Sequence, residues 1–574
     1  MKKIPYGVSD FEKIRRNNYY YVDKTNFIEK IEDSSDYLFF IRPRRFGKSL
    51  FLSLMENYYD INKKEDFEQL FKGTYIYDNP TEEKNKYLIL KFNFSEVNPH
   101  IKEVENSFNN TIRLEALRFI QKYKDFISDT DSDMHKTIKD IKEASEILKH
   151  IIKFTKDKGK IYLLIDEYDN FTNTIISSVG NEQYTAITHG QGFYRHFFNV
   201  IKAGTTGGPI AKLFITGVSP VTMDDVTSGF NIGDNITSDP AVNQMVGFTE
   251  TEVIELLKHY EINERVIEIM KPWYNNYLFS QDEQTKIFNS DMALYFVKEY
   301  LKTNKLPKEM LNHNIKIDYK KLKYLIITDI KGRIRVNGNF EKLKMIIEQG
   351  EIIAKIVSAF PVDRIIDTEN FISLLYYFGL LTIKGEHYER VKLIIPNEAI
   401  KQLHYDYIRE GYRDTNIFTL DFFKLGDLYD RMAYNGNWED LFLYLSEEMT
   451  KQTALRDYIK GEKEIQTFLR VYMGVTNYYI TKSEAELNKG FCDIMVIPNI
   501  AQFPDIKYSY LMEIKYIKPS DYDEKKLEEK ISSAKKQLEK YKEDETLKKM
   551  IGNTKLERII LVFAGVELKY KSTF

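Results

Sequence analysis

An apolar stretch, Tyr37-Leu38-Phe39-Phe40-Ile41, runs directly into Arg42-Pro43-Arg44-Arg45-Phe46-Gly47-Lys48-Ser49 and then into Leu50-Phe51-Leu52-Ser53-Leu54-Met55. A buried strand, a basic loop closing on Gly-Lys-Ser and a helix, in that order, are what a phosphate-binding loop of the Walker A kind requires. Gly47 lets the backbone approach a phosphate, while loop N–H groups and the helix N-terminus face the anion. Lys48 is placed to neutralise the β- and γ-phosphates of ATP, and the Ser49 hydroxyl to bind Mg²⁺. The pattern G-x-x-x-x-G-K-[ST] has Arg42 where its first glycine belongs. That side chain either alters how the loop wraps the phosphate or adds a positive contact. Arg42, Arg45, Phe46, Gly47, Lys48 and Ser49 are therefore the expected contacts of a bound nucleotide.

The loop implies an α/β domain with a mainly parallel sheet, and further short apolar runs supply the strands: Leu88 to Phe92, Ile161 to Ile165 and Leu213 to Thr216. The third of the four ends in Asp166-Glu167. In P-loop ATPases a strand-end Asp holds Mg²⁺ and a neighbouring Glu polarises the attacking water, so Asp166 and Glu167 take those expectations. The fourth ends in Thr216-Gly217-Val218-Ser219, small polar residues where a sensor of the γ-phosphate belongs; Thr216 and Ser219 are its candidates. From Thr249 to about Tyr300 the texture turns helical. Phe371 to Thr382 then reads as a helix, a glycine stop and a strand, which suggests a helical or winged-helix-like middle domain.

Tyr21-Val22-Asp23-Lys24-Thr25, the arginine-led loop 42–49, Leu164-Ile165-Asp166-Glu167-Tyr168-Asp169 and Phe214-Ile215-Thr216-Gly217-Val218-Ser219 together resemble the AAA-ATPase-like proteins that carry a C-terminal nuclease-superfamily domain. Fainter echoes continue through Trp273-Tyr274-Asn275-Asn276-Tyr277 and Ile395-Pro396-Asn397. The family has Asp-Gly where Asn275 and Asn276 stand here, and Asn-Pro in place of Asn289-Ser290. Its own loop is arginine-led, as here. The resemblance implies an ATPase domain over 1–248, a middle domain over 249–400 and a nuclease-like domain over 401–574.

Near the C-terminus, Gly490-Phe491-Cys492-Asp493-Ile494-Met495-Val496 and Tyr510-Leu511-Met512-Glu513-Ile514-Lys515-Tyr516 read as a β-hairpin. Alternate residues of a strand share a face, so Glu513 and Lys515 stand together, and pairing brings Asp493 beside them. Carboxylates hold Mg²⁺ through oxygen while a lysine positions water and offsets phosphate charge, the set that metal-assisted phosphodiester hydrolysis needs. The three residues resemble the signature positions of the PD-(D/E)XK nuclease core. That resemblance implies a further glutamate on a preceding helix, Glu464 first and Glu484 second, and a Q-x-x-x-Y pair at Gln537 and Tyr541. The Lys/Glu-rich helix from Asp521 to Glu545 alternates charge sign and reads as a solvated face.

At 574 residues the chain exceeds one hydrophobic core. A net charge of −3 gives no global basic field, so any nucleic-acid surface is local. One cysteine, Cys492, excludes an intramolecular disulfide and a multi-cysteine zinc site, and no apolar run approaches membrane-spanning length. The expectation is a cytoplasmic protein, using ATP and Mg²⁺, whose P-loop module controls a nuclease-type domain acting on nucleic acid, DNA in preference to RNA, with homo-oligomers left open. Its rival is a nucleotide-regulated scaffold or signalling ATPase whose nuclease-like domain binds without cleaving.

Overall fold

The computed structural model describes residues 1–127, 131–178, 181–223, 232–312, 315, 338–365, 367–487, 490–541 and 545–574. They form two compact units: Met1–Lys302 with Ile353–Asn397, and residues 303–312 and 338–352 with Glu398–Phe574. The segment expected as a middle domain is thus divided between the two.

The first unit is built on a sheet of strands β1 (Tyr37–Ile41), β2 (Leu88–Asn93), β3 (Ile161–Asp166), β4 (Ile210–Gly217) and β5 (Asp234–Asn235). Its order is β2-β3-β4-β1-β5, and every pairing is parallel. Strand β3 is buried at all six positions, as its unbroken apolar run predicts for a strand covered on both faces. Ile41 pairs with Gly217 and Ile165 with Ile215, which brings the C-terminal ends of β1, β4 and β3 level with one another. The helix Lys48–Tyr59 follows β1 and buries Phe51, Leu52, Leu54, Met55, Tyr58 and Tyr59. Aromatic rings fill much of this unit's core. Phe108 alone lies 5.1–6.0 Å between ring centroids from Phe94, Phe171, Phe193, Tyr194 and Phe197.

The Tyr21–Thr25 motif is an anchoring device. Asp23 accepts from the Thr25 N–H at 2.9 Å and the Tyr75 N–H at 2.7 Å. Lys24, nearly buried, pairs with Glu252 at 2.7 Å, and Glu252 closes a capping box with Thr249 at the start of the helix Glu250–His259. Residues beyond 249 are tied into the same unit. Asn276 donates to the Pro396 carbonyl, Asn397 to the Asn275 carbonyl, and the Leu278 N–H to Thr382 Oγ1. Asn276 sits at φ 81, the left-handed region, at the place where the resembled family has glycine. Asn is among the side chains that tolerate this region best. The expected helix, glycine stop and strand are Thr368–Tyr377, Gly379 at φ 74 and β7 (Thr382–His387), which pairs with β8 (Arg390–Ile394); a third strand, β6 (Glu351–Ala354), flanks β8.

The second unit holds a five-stranded sheet of order β13-β12-β11-β10-β9, with β9 (Tyr479–Leu487), β10 (Gly490–Pro498), β11 (Tyr508–Ile517), β12 (Lys555–Ala564) and β13 (Glu567–Thr573). β10 and β11 are antiparallel, as a hairpin requires, and β11 and β12 are parallel. The edge strands β9 and β13 are not apparent from the hydrophobic pattern. The helices Glu462–Met473 and Glu524–Glu539 pack on the sheet; the second buries only Leu527, Ala534 and Leu538, which bears out its charged residues as a solvated face. Among the described residues no helix is long and apolar enough to cross a membrane.

A Cβ at Gly379 would stand 2.8 Å from Pro43 Cγ in the phosphate loop, on a backbone that disfavours side chains. Gly379→Ala should therefore destabilise the first unit by about 1–3 kcal/mol. Gly385→Ala, with open space around its Cβ, should stay within about 0.5 kcal/mol of wild type. Thermal unfolding of both variants checks this.

Candidate functional sites

The loop between β1 and its helix is held from beneath. The Arg42 guanidinium is buried, 4.4 Å from the ring centroids of both Phe40 and Phe279, and donates to the carbonyls of Ile41, Thr237 and Val242. Burial lowers its pKa to about 10. Phe46 is also buried, edge-on to Tyr277 at 4.9 Å and Phe279 at 5.4 Å, while its carbonyl accepts from the Gly247 N–H. What Arg42 and Phe46 can offer a phosphate is therefore backbone alone, and of the two expectations for Arg42 the structure favours an altered wrapping of the loop over an added positive contact: both side chains serve the core. Arg45, at φ 66, pairs with Asp291 at 3.1 Å. The loop's missing first glycine is thus explained by a cation that staples the loop to two aromatic rings.

Gly47, at φ 103, opens the helix, and Lys48 folds back to donate to the carbonyls of Arg42 at 2.8 Å and Pro43 at 2.9 Å. Burial lowers the Lys48 pKa to about 8, against the opposing pull of Glu167, Asp166 and Asp169. The Ser49 hydroxyl reaches the Asp166 carboxylate, whose pKa is raised first by burial and then by the Glu167 charge. Among the described residues, Asp166 Oδ1 is buried without a hydrogen-bond partner, and so is Thr216 Oγ1 at the end of β4. Glu167 follows at φ 51, a conformation rare for its residue type, and accepts from Asn170. Lys48, Ser49, Asp166, Glu167 and Thr216 all stand at the level strand ends of β1, β3 and β4. A carboxylate with one orphaned oxygen beside a serine hydroxyl fits Mg²⁺, which Ser49 and Asp166 would hold.

In the second unit β10 and β11 stop pairing at Ile494 and Met512, where the Asp493 carboxylate takes over and accepts from the Ile514 N–H at 2.8 Å. Lys515 Nζ lies 3.2 Å from Glu513, 3.6 Å from Asp493 and 3.7 Å from Glu462. Asp493, Glu513 and Lys515 thus converge as the alternation of strand residues predicts. The helix glutamate is Glu462, whose other oxygen accepts from the Tyr516 N–H at 3.1 Å, in place of the expected Glu464. Residues two apart on a helix point about 200° from each other. Glu464 instead folds over Gly461 and bears electrostatically on Glu348. No sequence signal separates the pair, because the helix is buried on nearly every side from Ile465 onward. The Glu484 side chain lies outside the described residues. Tyr541 is buried within electrostatic reach of Glu513 and Asp493, and Gln537 Oε1 is buried without a partner among the described residues.

Glu513 is fully buried and its Oε1 has no hydrogen-bond partner among the described residues. Burial first, and then the Asp493 charge, pushes its pKa up to about 8, while Lys515 pulls the other way. Among the described residues no three His, Cys, Asp or Glu side chains form a ready-made metal cage. Mg²⁺ usually takes one or two carboxylates and completes its shell with water and substrate oxygens. Three carboxylates around one ammonium, with one oxygen orphaned, fit such an ion; Asp493 and Glu513 would hold it.

Comparison with known proteins agrees with this geometry. Residues 5–227 match the model of a predicted AAA-ATPase family, AAA-ATPase-like, and residues 460–573 match a model of the PD-(D/E)XK nuclease superfamily. The chain carries an AAA-ATPase-like domain and a PD-(D/E)XK nuclease superfamily domain. An uncharacterised protein in the vnfD 5′ region of Azotobacter chroococcum is 26% identical over 302 residues, 52% of this chain and 52% of that protein, so the chain spans about half the length of this curated relative. A Walker-type ATPase of Pyrococcus abyssi is 10% identical with a TM-score of 0.37, covering 70% of this chain and 98% of its own. The AAA-ATPase-like match contains Lys48, Asp166, Glu167 and Thr216, and the PD-(D/E)XK match contains Glu462, Asp493, Glu513 and Lys515.

The raised Glu513 pKa sets a sign for metal binding. Below about 8 the carboxyl carries a proton that must leave when a cation binds, so affinity should rise with pH and level off above that value. Calorimetric titration of Mn²⁺ in buffers of differing ionisation enthalpy should register close to one proton released at about pH 6 and almost none at about pH 9.5. Glu513→Gln should remove that release.

Proposed function

We propose that the first unit binds and hydrolyses ATP with Mg²⁺, and that the second is a Mg²⁺-dependent nuclease site under its control. One observation carries this: each unit holds a buried carboxylate with an unpartnered oxygen beside a lysine, Asp166 near Lys48 and Glu513 near Lys515.

In the first site Lys48 exchanges its loop carbonyls for the β- and γ-phosphates, which return the charge that burial disfavours. Ser49 and Asp166 orient the ion, Glu167 accepts the proton of the attacking water, and Thr216 faces the terminal phosphate. In the second, Asp493 and Glu513 hold the ion. Lys515, kept charged by three carboxylates, positions the water and offsets phosphate charge, while Glu462 fixes the lysine. Bound Mg²⁺ supplies Lewis acidity at the scissile phosphate.

Lys48→Ala should weaken ATP binding about ten- to a hundredfold, the loss of a charged hydrogen-bond donor. Glu167→Gln should keep binding while slowing hydrolysis about 10²–10⁴-fold. For the second unit, wild type, Asp493→Ala, Lys515→Ala, Glu462→Gln and Glu464→Gln are incubated with linear and circular DNA and with RNA, with Mg²⁺ or Mn²⁺, with and without ATP. Cleavage by wild type and Glu464→Gln alone supports the assignment, and its dependence on ATP supports control by the first unit. Metal-independent retention of nucleic acid with no cutting in any condition assigns the scaffold role instead.

A further inference from the structure

Asp169 is a buried carboxyl, 1% exposed, to which the proposed chemistry gives no task. It sits just beyond β3, yet its partners belong to the tip of β4. The Val218 N–H points at both oxygens, at 3.2 and 3.1 Å, the Ser219 N–H donates to Oδ2, and Asn173 donates to the same oxygen at 2.7 Å. Tyr168 reinforces the contact, its N–H donating to the Thr216 carbonyl at 3.1 Å and its hydroxyl to the Ser219 carbonyl at 2.6 Å. Between these bonds lies Gly217, where a Cβ would stand 2.4 Å from the Tyr168 ring and 2.5 Å from Asp169 Oδ1. Segment 168–169 is therefore clamped flat against 216–219.

The clamp bears on one functional atom. Thr216 Oγ1, at the strand end next to Gly217, is fully buried and has no hydrogen-bond partner among the described residues. A buried donor left unmet is costly, so its position points to a ligand oxygen that completes it. A carboxylate is itself expensive to bury, and this one is compensated by three donors that converge on Oδ2, the Val218 and Ser219 N–H groups and the Asn173 amide, charge-assisted bonds that the ionised form strengthens. Lys48 and Arg44 lie within electrostatic reach of Asp169, which places the clamp beside the phosphate loop.

We propose that Asp169 is a positioning residue: by gripping the Val218 and Ser219 N–H groups it aims the Thr216 hydroxyl at the terminal phosphate, and so gives the first unit its preference for a nucleoside triphosphate over a diphosphate. This rests on the ATP-binding reading of the same site. A carboxamide in place of Asp169 removes the charge that strengthens the bonds to Oδ2 and turns an NH₂ group toward the Val218 N–H where Oδ1 accepted it, which loosens the tip of β4, whereas the bonds of Lys48 and the loop to an α- or β-phosphate do not pass through it.

The test measures binding of ADP and of a non-hydrolysable ATP analogue, each with Mg²⁺, to the full chain as wild type, Asp169→Asn, Thr216→Val, the double variant and Asn173→Ala. Asp169→Asn and Thr216→Val should each lower analogue affinity about tenfold while leaving ADP within about twofold, as loss of one hydrogen bond implies. The double variant should lose no more than either single one, since both remove the same contact. Asn173→Ala, which withdraws one support of the carboxylate, should shift the analogue in the same direction by less and serves if Asp169→Asn does not fold. Equal wild-type affinity for the two nucleotides, equal loss of both in the variants, or wild-type analogue binding by Thr216→Val overturns the proposal. A wild-type chain that binds neither nucleotide overturns the ATP reading beneath it.

Discussion

Strand β4 stands between β1 and β3, and the first unit's site depends on that insertion. Parallel strands deliver their C-terminal ends to one edge of the sheet, but only neighbours deliver them within reach of one ligand. With β4 in the middle, its tip separates the loop that carries Lys48 from the pair Asp166 and Glu167. The sheet therefore sets a cation, a hydroxyl and two carboxylates side by side. Little of this stabilises the empty protein. Lys48 is buried against loop carbonyls, Asp166 keeps an unmet oxygen, and Glu167 and Arg45 hold left-handed backbone. Such strain persists because the surrounding aromatic core over-determines the backbone.

The second unit solves a related problem on a different sheet. Breaking the β10–β11 ladder at Ile494 frees the Ile514 N–H for the Asp493 side chain, which turns a strand residue into a fixed corner of the site. Lys515 then serves three carboxylates at once. The desolvation cost of burying that many charges is offset only in part, as the raised Glu513 pKa records. A divalent cation is the species that such an excess of negative charge accommodates. Both units thus store unsatisfied acidity where chemistry is proposed and satisfy polar groups elsewhere with backbone partners.

Hydrogen bonds across long stretches of chain tie the segment after residue 249 into the first unit, beside buried apolar residues such as Leu256, Phe288 and Phe371. Asn276, Asn397 and Thr382 exchange bonds across about a hundred residues of chain, and Gly379 leaves room for Pro43. The phosphate loop is consequently walled by residues distant in sequence: Thr237, Gly247, Phe279, Ser290 and Asp291.

The local periodicities of the sequence determined a good deal. Unbroken apolar runs identified β1 to β4, the Gly-Lys-Ser turn located the phosphate loop, and the two-residue repeat of two neighbouring strands brought Asp493, Glu513 and Lys515 to one place, because each of these signals is complete within a single element or a pair adjacent in the chain. Other features became definite only in the tertiary structure. The Arg42 side chain was legible as a positive charge in a loop, but its inward turn depends on Phe279 and the Thr237 carbonyl, some two hundred residues away. The sequence pointed to Glu464 with Glu484 second, and only the folded helix shows that the phase of Glu462 is the one that meets Lys515. Asp169 looked like one more acidic residue after a strand until β4 was folded beside it. In each case the deciding partner is remote in the chain, and a one-dimensional pattern records which face a residue occupies but not what waits on the other side.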